Sequence, residues 1–390
     1  MKLLRRTWAD IDLDLLSHNY NALRGALPQK TKFLGVVKAD AYGHGAGPMA
    51  HALISMGAEY LAVATIEEAV QLRRDEIRTP VLIFGYTPAT YAEMMVFMNI
   101  TQEVHSLQYA KELDAQLKNT NYLLKVHLQL DTGMTRIGFR TDSELFAQEM
   151  EELNALRHIH VEGVFTHFSA ADSLDADDVA FTRGQHTRFM QALDLLDSIG
   201  IRAELKHCCN SAATVLYPEY AMDMVRPGIL VYGIHPSPAT KGKIDVQPVL
   251  SLRSIISQIW DVKAGTPVSY GRTFIAPKDF RMAVVPAGYA DGLSRGLSNR
   301  GSFLLHGKRV PVVGRICMDM CMVDISSVPD AKVGDVVTII GADGGDFIHA
   351  DEISSLTETI SYETLCAISK RVPRIYLSGG KESQSLRYIV

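Results

Sequence analysis

Lys38 is the residue of this chain whose type and position most strongly indicate chemistry. It stands between a short apolar run and a glycine-rich turn, in F-L-G-V-V-K-A-D-A-Y-G-H-G over residues 33–45. A strand over the apolar run would carry the amine to the rim of a sheet, where desolvation and cationic neighbours lower an amine's pKa. Such an amine is a nucleophile suited to carbonyl groups. Tyr42 follows four residues later, and Gly43 and Gly45 allow the backbone to approach a ligand closely.

A second interpretation of this segment stays open on the local pattern alone. Lysines at strand ends often lay their methylene groups over apolar surface and keep the amine in water. In that case Lys38 would be followed by an ordinary turn. The choice depends on the residues that the fold places beside it.

The chain from Phe33 to about Tyr232 alternates apolar runs, typical of buried strands, with amphipathic stretches, typical of helices. After the first run, apolar residues from Met49 to Met56 recur with helical spacing, and Gly57 ends that helix. The predicted strands cover residues 33–38, 60–65, 80–85, 100–105, 123–131, 159–167, 203–208 and 222–229. Eight strands alternating with helices over roughly 200 residues predict an α/β fold, a parallel (β/α)8 barrel of the TIM type.

Catalytic groups of such a barrel lie at the carboxyl ends of the strands or in the loops that follow. The residues of suitable type at those positions are Lys38, Arg136, His167, Ser211 and Arg226. In the fifth strand, Val126, Leu128 and Leu130 alternate with polar residues. If the apolar set faces the outer helices, Gln129 and Asp131 point into the mouth of the barrel.

A second domain is predicted after the segment P-S-P-A-T-K-G-K at residues 236–243. Helical periodicity fades there, and short apolar runs separated by Gly, Pro and Asp indicate a mainly-β domain. We therefore divide the chain into a barrel over residues 1–236 and a β domain over residues 237–390. The first ~10 residues could pair with the β domain, and one helix is predicted around residues 362–370.

Composition excludes several classes of partner. A hydrophobic content of 47%, a charged content of 21% and a formal net charge of −5 describe a globular protein without the basic excess that nucleic acid or anionic lipid attracts. No segment is long and apolar enough to span a membrane. The 5 cysteines include no C-x-x-C pair, which indicates reduced thiols and a cytoplasmic protein. The 13 histidines show no ligand spacing, so we predict no metal.

Over nearly its whole length the chain resembles the bacterial alanine racemases, pyridoxal phosphate enzymes that pair a (β/α)8 barrel with a C-terminal β domain and act as homodimers. The motifs that carry the resemblance occur in order: V-V-K-A-D-A-Y-G-H-G, D-T-G-M-T-R-I-G-F, F-T-H-F, N-S-A-A-T, V-R-P-G-I-L-V-Y-G, V-S-Y-G-R-T-F, G-Y-A-D-G and V-G-R-I-C-M-D. The resemblance implies interconversion of L-alanine and D-alanine, which supplies D-alanine for peptidoglycan.

The resemblance also implies two catalytic bases. Lys38 would hold the cofactor through its amine and move a proton on one face of the substrate. Tyr270, in S-Y-G-R, would serve the other face from the partner subunit. An ordinary tyrosine, with a pKa near ~10, needs cationic neighbours to act as a base. Residues matching His167 and Arg226 form that neighbourhood in the family.

The family places the residue matching Arg226 against the pyridine nitrogen. A guanidinium only donates hydrogen bonds, so the ring nitrogen would stay unprotonated and the ring would be a weaker electron sink. Arg136 would meet the phenolic oxygen and the substrate carboxylate, and Met318 would reach that carboxylate from the partner subunit. The implied cofactor-binding residues are Lys38, Tyr42, Arg136, His167, Asn210, Ser211, Arg226, Gly228, Ile229 and Tyr362. A substrate access corridor would be lined by Asp172, Tyr289, Arg295, Arg315 and Ile360.

Gln129 departs from the family pattern. Many members carry there a lysine modified to a carbamate, which offers the neighbouring arginine an anionic acceptor. Gln129 offers a neutral carbonyl. Charge-assisted hydrogen bonds contribute roughly 1.5 to 3 kcal/mol and neutral ones about 0.5 to 1.5 kcal/mol. Our hypothesis is that Arg136 is held less firmly, by about 1 kcal/mol, or that a small anion fills the gap.

Three alternatives remain beside an alanine racemase. The same scaffold could racemise serine or several amino acids, although the aromatic Tyr362 favours a small pocket. Basic amino acid decarboxylases share the architecture but lack the tyrosine of S-Y-G-R. A pyridoxal phosphate carrier built on the barrel alone would have no use for the region that holds Tyr270 and Met318.

Overall fold

The computed structural model describes residues 6–389. Its first ten strands are β1 (Thr7–Asp12), β2 (Lys32–Val36), β3 (Tyr60–Val63), β4 (Val81–Ile83), β5 (Ile100–Val104), β6 (Leu124–Asp131), β7 (Phe139–Arg140), β8 (Ile159–Phe165), β9 (Leu205–His207) and β10 (Met224–Val225). The helices along this part are α1 (Leu13–Gly25), α2 (Lys38–Tyr42), α3 (Ala46–Met56), α4 (Ile66–Arg74), α5 (Ala92–Phe97), α6 (Leu107–Leu117), α7 (Phe146–Asn154), α8 (Ala176–Ser198) and α9 (Ser211–Leu216).

Eight of these strands form the predicted barrel. They pair in parallel in the order β10-β2-β3-β4-β5-β6-β8-β9, with the two-residue β7 beside β6. Between β9 and β10 the ring is completed by backbone hydrogen bonds, from Asp223 N–H to Lys206 O at 3.1 Å and from Arg226 N–H to Cys209 O at 3.0 Å. The predicted α/β barrel is therefore confirmed.

The barrel strands are shorter than predicted, most clearly the last. We expected a strand over residues 222–229, but β10 covers only Met224–Val225. Pro227 has no backbone N–H to donate to a ladder, which ends the strand just before it. The predicted helix after β2 is present as α3, and it ends at Gly57, whose φ of 111° suits glycine.

The C-terminal part is mainly β. Its strands are β11 (Leu250–Ile255), β12 (Gln258–Val262), β13 (Pro267–Val268), β14 (Phe274–Ile275), β15 (Phe280–Val285), β16 (Ser302–Leu305), β17 (Lys308–Pro311), β18 (Cys321–Asp324), β19 (Val336–Asp343), β20 (Asp346–Ile348), β21 (Arg374–Ser378) and β22 (Lys381–Leu386). Two helices lie between β20 and β21, α10 (Ala350–Leu356) and α11 (Ser361–Cys366). The helix predicted at residues 362–370 corresponds to the shorter α11.

The first strand of the described chain lies in the C-terminal sheet. β1 pairs antiparallel with β11 and parallel with β21, within the sheet order β17-β16-β19-β11-β1-β21-β22. Of the ~10 initial residues that we allowed to pair with the β domain, residues 1–5 lie outside the described part. Within residues 6–389, none of the helices combines the length and the apolar character that a membrane span requires.

Candidate active site

Lys38 begins a left-handed turn at the mouth of the barrel. β2 ends at Val36, and from Ala39 to Tyr42 the backbone adopts φ values between 52° and 55°. Gly43 and Gly45 continue with positive φ, and their N–H groups donate to Ala39 O and Asp40 O at 3.0 and 2.9 Å. A left-handed conformation costs a non-glycine residue roughly 1–2 kcal/mol, so this turn needs support from its surroundings.

Glu68 from α4 and two side chains of the turn itself, Asp40 and His44, support the turn. Glu68 accepts hydrogen bonds from Ala39 N–H at 2.6 Å and from Ala64 N–H at 2.8 Å, which joins the turn to the end of β3. The carboxylate of Asp40 accepts from Ala46 N–H at 2.9 Å. His44 is fully buried and its Nδ1 lies 2.9 Å from Ala41 O, so Nδ1 carries the proton and donates.

Strand β21 and the segment after β22 hold the same turn from the other side. Arg374 is fully buried, and its Nε donates to Gly43 O at 2.9 Å. The Tyr376 hydroxyl donates to His44 O at 2.8 Å, and that of Tyr388 donates to Asp40. We call these three residues the C-terminal clamp. Through them β21 and the segment after β22 fix the turn that carries Lys38.

A cavity of about 580 Å³ opens over Lys38. It contains all five residues that we placed at strand ends from the sequence, together with most residues that the family resemblance implied. The predicted residues that line it are Lys38, Tyr42, Gln129, Arg136, His167, Asp172, Asn210, Ser211, Arg226, Gly228, Ile229, Ile360 and Tyr362. Asp131 does not line it, contrary to our expectation, because its carboxylate caps the turn after β6 by accepting from Gly133 N–H and Thr135 N–H.

The electrostatics at the cavity favour a neutral lysine amine. Burial lowers the pKa of Lys38, the positive charge of Arg136 lowers it further, and Glu68 opposes the change. A larger fraction of the amine is therefore unprotonated at neutral pH than in an exposed lysine. The interpretation of Lys38 as a snorkelling surface lysine does not fit this position.

Arg226, which lines the same cavity as Lys38, is a buried cation. It is 3% exposed, and burial lowers the pKa of its guanidinium to about 10. Its Nη1 lies 2.9 Å from His207 Nδ1, and its Nη2 lies 2.9 Å from Thr166 O and 3.2 Å from His167 Nδ1. Burial and the charge of Arg226 hold the pKa of His167 well below its ordinary value. His167 is therefore neutral. We expected both His167 and Arg226 to provide positive charge beside the catalytic tyrosine, but only Arg226 carries it.

The residues at the other end of the cavity fit a phosphate group. Ser211 opens α9, and its hydroxyl accepts from Gly228 N–H at 2.8 Å, while the helix N-cap is Asn210 rather than Ser211. A Cβ added at Gly228 would lie 2.6 Å from the Tyr42 hydroxyl, so only glycine leaves this wall open. Tyr362 lines the same cavity. The hydroxyl groups and Gly228 suit a phosphate group, and Lys38 and Arg226 in the same cavity suit an aldehyde and a ring nitrogen. Together these residues fit pyridoxal phosphate.

Gln129 and Arg136 share the cavity without bonding to each other. The Gln129 amide donates to Ile137 O at 3.1 Å. Within residues 6–389, the Arg136 guanidinium makes no hydrogen bond or ion pair, although we expected the Gln129 carbonyl to support it. The Gln129 side chain is shorter than a carbamylated lysine, and its amide group bonds to the backbone instead of to Arg136.

Tyr270 and Met318 lie away from the Lys38 cavity. Tyr270 is 70% exposed, on a turn where Ser269, Gly271 and Arg272 have positive φ. It borders a separate apolar groove of about 660 Å³, lined by Trp260, Val268, Met282 and Met320 among others. Of the remaining predicted corridor residues, Tyr289 and Arg295 line a third cavity and Arg315 lies beside Gly271. A single chain therefore does not bring the two predicted bases together.

The sequence interpretation missed residues that support the site from behind. They are Glu68, His44, Arg374, Tyr376, His127, His207 and Glu162. Only one signal could have indicated any of them: His127 and Gln129 alternate with apolar residues along β6, which places both inside the barrel. In the part of the chain that the structure describes, no group of three or more His, Cys, Asp or Glu residues is arranged to hold a metal ion.

The buried histidine in the Lys38 turn predicts a loss of stability in acid. Burial lowers the pKa of His44 to about 4, below its value in the unfolded chain. Its contribution is therefore complete above pH ~6.5 and is lost as the pH falls towards 4. Between pH 7 and pH 5 we expect the free energy of unfolding to fall by about 2 kcal/mol through His44 alone. Urea unfolding of the cofactor-free protein and of His44→Gln at both pH values would measure it, and equal pH dependence in the two proteins would contradict it.

Fold and site together define a class: an enzyme with a lysine amine at the mouth of a (β/α)8 barrel and a second, mainly-β part. Residues 11–236 match the family model described as the N-terminal domain of alanine racemase, and residues 249–376 match that of its C-terminal domain. The chain belongs to the alanine racemase family. It is thus an amino-acid racemase, a class of isomerase.

Individual relatives agree with this assignment. An alanine racemase of Desulfovibrio desulfuricans is 44% identical over 96% of this chain and 98% of its own length. Among solved structures, an alanine racemase of Clostridium difficile 630 superposes with a TM-score of 0.95 at 39% identity, covering 100% of both chains. A histidine racemase from Leuconostoc mesenteroides has a TM-score of 0.85 at 28% identity, covering 96% of this chain and 99% of its own.

Proposed function

We propose that this chain is a pyridoxal phosphate-dependent alanine racemase that interconverts L-alanine and D-alanine by a two-base mechanism. The observation that carries the proposal is the Lys38 amine with its lowered pKa, which faces Arg226 and a glycine-walled phosphate cradle in one cavity. The names of the relatives support alanine as the substrate.

Different residues of the cavity would bind different parts of the cofactor. Lys38 would hold its reactive end, Tyr42, Ser211 and the backbone of Gly228 would bind its phosphate, and Arg226 would face its ring nitrogen. When bound, pyridoxal phosphate supplies an electron sink that makes the Cα proton of an amino acid removable. Because a guanidinium can only donate hydrogen bonds, Arg226 would keep the ring nitrogen unprotonated and limit that sink. A weaker sink suits a reaction that only moves one proton.

Racemisation requires proton transfer on both faces of Cα, since a proton removed from one side must be returned on the other. Lys38 is the base on one face. We propose that Tyr270 of a second copy is the base on the other, because in one chain this side chain lies exposed and outside the cavity. The neighbouring Trp260, Met318 and Met320 are also 44–53% exposed. Such a patch is typical of a surface that another protein covers, here the barrel mouth of the partner.

We propose that the aromatic side chain of Tyr362 favours alanine over larger substrates. Tyr362 and Ile360 border the cavity from α11 and the residue before it, and Asp172 borders it from the barrel. The histidine racemase on the same fold shows that related proteins accept other side chains, so a serine or broad specificity is the second candidate. We further propose a cytoplasmic enzyme that supplies D-alanine for peptidoglycan, supported by the five free cysteines.

Incubation with L-alanine in deuterated water tests the proposed reaction. We expect deuterium at Cα together with complete loss of optical activity, because the proton returned on the second face comes from a base in exchange with solvent. Exchange without inversion, or release of carbon dioxide, would contradict a racemase. Parallel incubations with L-serine and L-histidine would show whether these amino acids are racemised as fast as alanine, which would favour the broad-specificity racemase.

The separation of Gln129 from Arg136 predicts an effect of small anions. If chloride occupies the gap, raising it at constant ionic strength should lower KM for alanine roughly fivefold, the equivalent of about 1 kcal/mol. A Gln129→Glu variant, which carries its own anion, should show no such dependence. A crystal structure at two chloride concentrations would decide the matter, because an equally ordered Arg136 with no anion in both would contradict the prediction.

A further inference from the structure

A row of buried polar side chains runs from Arg226 through the barrel towards its opposite end. Arg226 Nη1 lies 2.9 Å from His207 Nδ1, and His207 Nε2 lies 2.9 Å from His127 Nδ1. His127 Nε2 makes no hydrogen bond but lies 3.4 Å from Glu162 Oε2, an electrostatic contact, and Glu162 Oε1 accepts a hydrogen bond from Lys125 Nζ at 2.6 Å. Lys125 is the second residue of β6 and is 47% exposed. The row therefore connects the active site to the surface at the amino-terminal end of the strands.

The positions of the protons in this row follow from its two ends. A guanidinium has only donors, so His207 Nδ1 must be an unprotonated acceptor, and a neutral His207 then carries its proton on Nε2. That proton points at His127 Nδ1, which must also be an acceptor. His127 in turn carries its proton on Nε2, which faces Glu162. From Arg226 as far as Glu162, every donor in the row points away from Arg226, and Lys125 donates to Glu162 from the opposite end.

Both imidazoles are held neutral and in place. His127 and His207 are 0% exposed, and burial lowers the pKa of each. Phe165 stacks on His207 at 4.9 Å between ring centroids and lies under the Arg226 guanidinium at 5.3 Å. A neutral imidazole has two tautomers of similar energy, so the neighbours of each ring decide which nitrogen is protonated.

Glu162 is the group that fixes the direction of the row. Burial raises the pKa of Glu162, but interactions with His127, Lys125 and Tyr60 outweigh it and hold the pKa well below the ordinary value. The Tyr60 hydroxyl donates to Glu162 Oε2 at 2.6 Å. The negative charge of this carboxylate, 3.4 Å from His127 Nε2, repels a lone pair there and attracts a proton, so it selects the His127 tautomer with the proton on Nε2. The partners of Arg226 itself are all neutral, and Glu162 supplies the negative charge at the far end.

We propose that His127 and Glu162 are positioning residues for the racemase reaction: they fix His207 in the tautomer that accepts from Arg226, and so hold the guanidinium towards the cavity. With the other tautomer, a His207 Nδ1–H would face an Arg226 N–H, and two donors would meet without an acceptor. The inference rests on the proposed function only in that Arg226 is taken to meet the cofactor's ring nitrogen.

Nitrogen-15 NMR of the cofactor-loaded protein with labelled histidine tests the row directly, without substrate. The ring signals are assigned by those lost in His127→Gln and His207→Gln. We expect both rings to carry the proton on Nε2 and to stay neutral throughout the pH range in which free histidine titrates. A His207 with its proton on Nδ1, or one that becomes protonated in this range, would overturn the proposal.

Two replacements of similar size separate positioning from packing. His127→Gln keeps an acceptor that can face His207 Nε2, whereas His127→Leu removes it. We expect the leucine variant to shift His207 towards the Nδ1 tautomer and to bind pyridoxal phosphate about tenfold more weakly in dialysis, and the glutamine variant to behave as the unmodified protein. A role in packing alone predicts the reverse order, because leucine is the better buried residue.

Glu162→Gln provides a second measurement if the leucine variant does not fold. It removes the charge but keeps the shape, and mixed tautomers of His127 are expected. Identical histidine signals in Glu162→Gln and the unmodified protein would overturn the role of Glu162. Because the NMR is done without substrate, the outcome is independent of racemisation: a row that behaves as expected in a protein that does not racemise alanine would refute only the proposed function.

Discussion

Replacing Lys38 by alanine is expected to abolish racemisation, with a fall of at least about a thousandfold in kcat/KM in both directions. The variant loses both the amine that would hold the cofactor and the base on one face of Cα. No second amine is available among the residues that line the cavity, where the other basic side chains are Arg136, Arg226 and the neutral His167. The cradle formed by Tyr42, Ser211 and Gly228 remains, so weak, non-covalent cofactor binding should persist.

Borohydride reduction followed by mass spectrometry measures the covalent attachment. We expect the cofactor mass on the peptide that contains Lys38 in the unmodified protein and on no peptide of the variant. Lys32→Ala is the matched control, because Lys32 begins the same strand but is half-exposed and paired with Glu59 at 3.8 Å. Attachment at another lysine, or normal racemisation by Lys38→Ala, would refute the assignment.

Replacing Tyr270 by phenylalanine is expected to slow racemisation by about a thousandfold while leaving cofactor attachment intact. The substitution removes one hydroxyl from a side chain that is 70% exposed in the single chain, so folding should not suffer. Tyr91→Phe, at a tyrosine that is 41% exposed and outside the cavity, serves as the control. Near-normal racemisation by Tyr270→Phe would show that another group serves the second face.

Mixing the two inactive variants tests whether the active site is shared between copies. In a dimer of one Lys38→Ala chain and one Tyr270→Phe chain, one site lacks both bases and the other retains both. After unfolding and refolding an equal mixture, about a quarter of the normal activity should return. Activity that stays at the level of the separate variants would contradict a site built from two chains.

Much of the fold could be predicted from the sequence because its information is local. Buried parallel strands are short apolar runs, and a helix stop such as Gly57 is a single residue. The catalytic candidates were chosen by the rule that active sites of barrels lie at the carboxyl ends of the strands. Three of them, Arg136, Ser211 and Arg226, do line one cavity with Lys38. The family resemblance then supplied roles that residue types alone left open.

The parts that were missed depend on contacts between distant segments. Ala39 and Ala41 are ordinary helix formers, and nothing local predicts their left-handed conformation, which is stabilised by Glu68 and by the C-terminal clamp. The row that links His207 to Glu162 joins different strands of the barrel, and spacing along one strand cannot reveal it. The pairing of β1 with the β domain was allowed from the sequence for the first ~10 residues, but its partners β11 and β21, which follow about 240 and 365 residues later, could not be named.

The C-terminal clamp also determines when the site can exist. During synthesis the ribosome releases Lys38 and the whole barrel long before Arg374 and Tyr376, whose hydrogen bonds to Gly43 O and His44 O complete the turn. A nascent chain that ends before these residues carries the left-handed turn at a cost that those bonds do not yet offset. A reactive amine that could capture aldehydes is thus presented in its final geometry only after the chain has been synthesised past Arg374 and Tyr376.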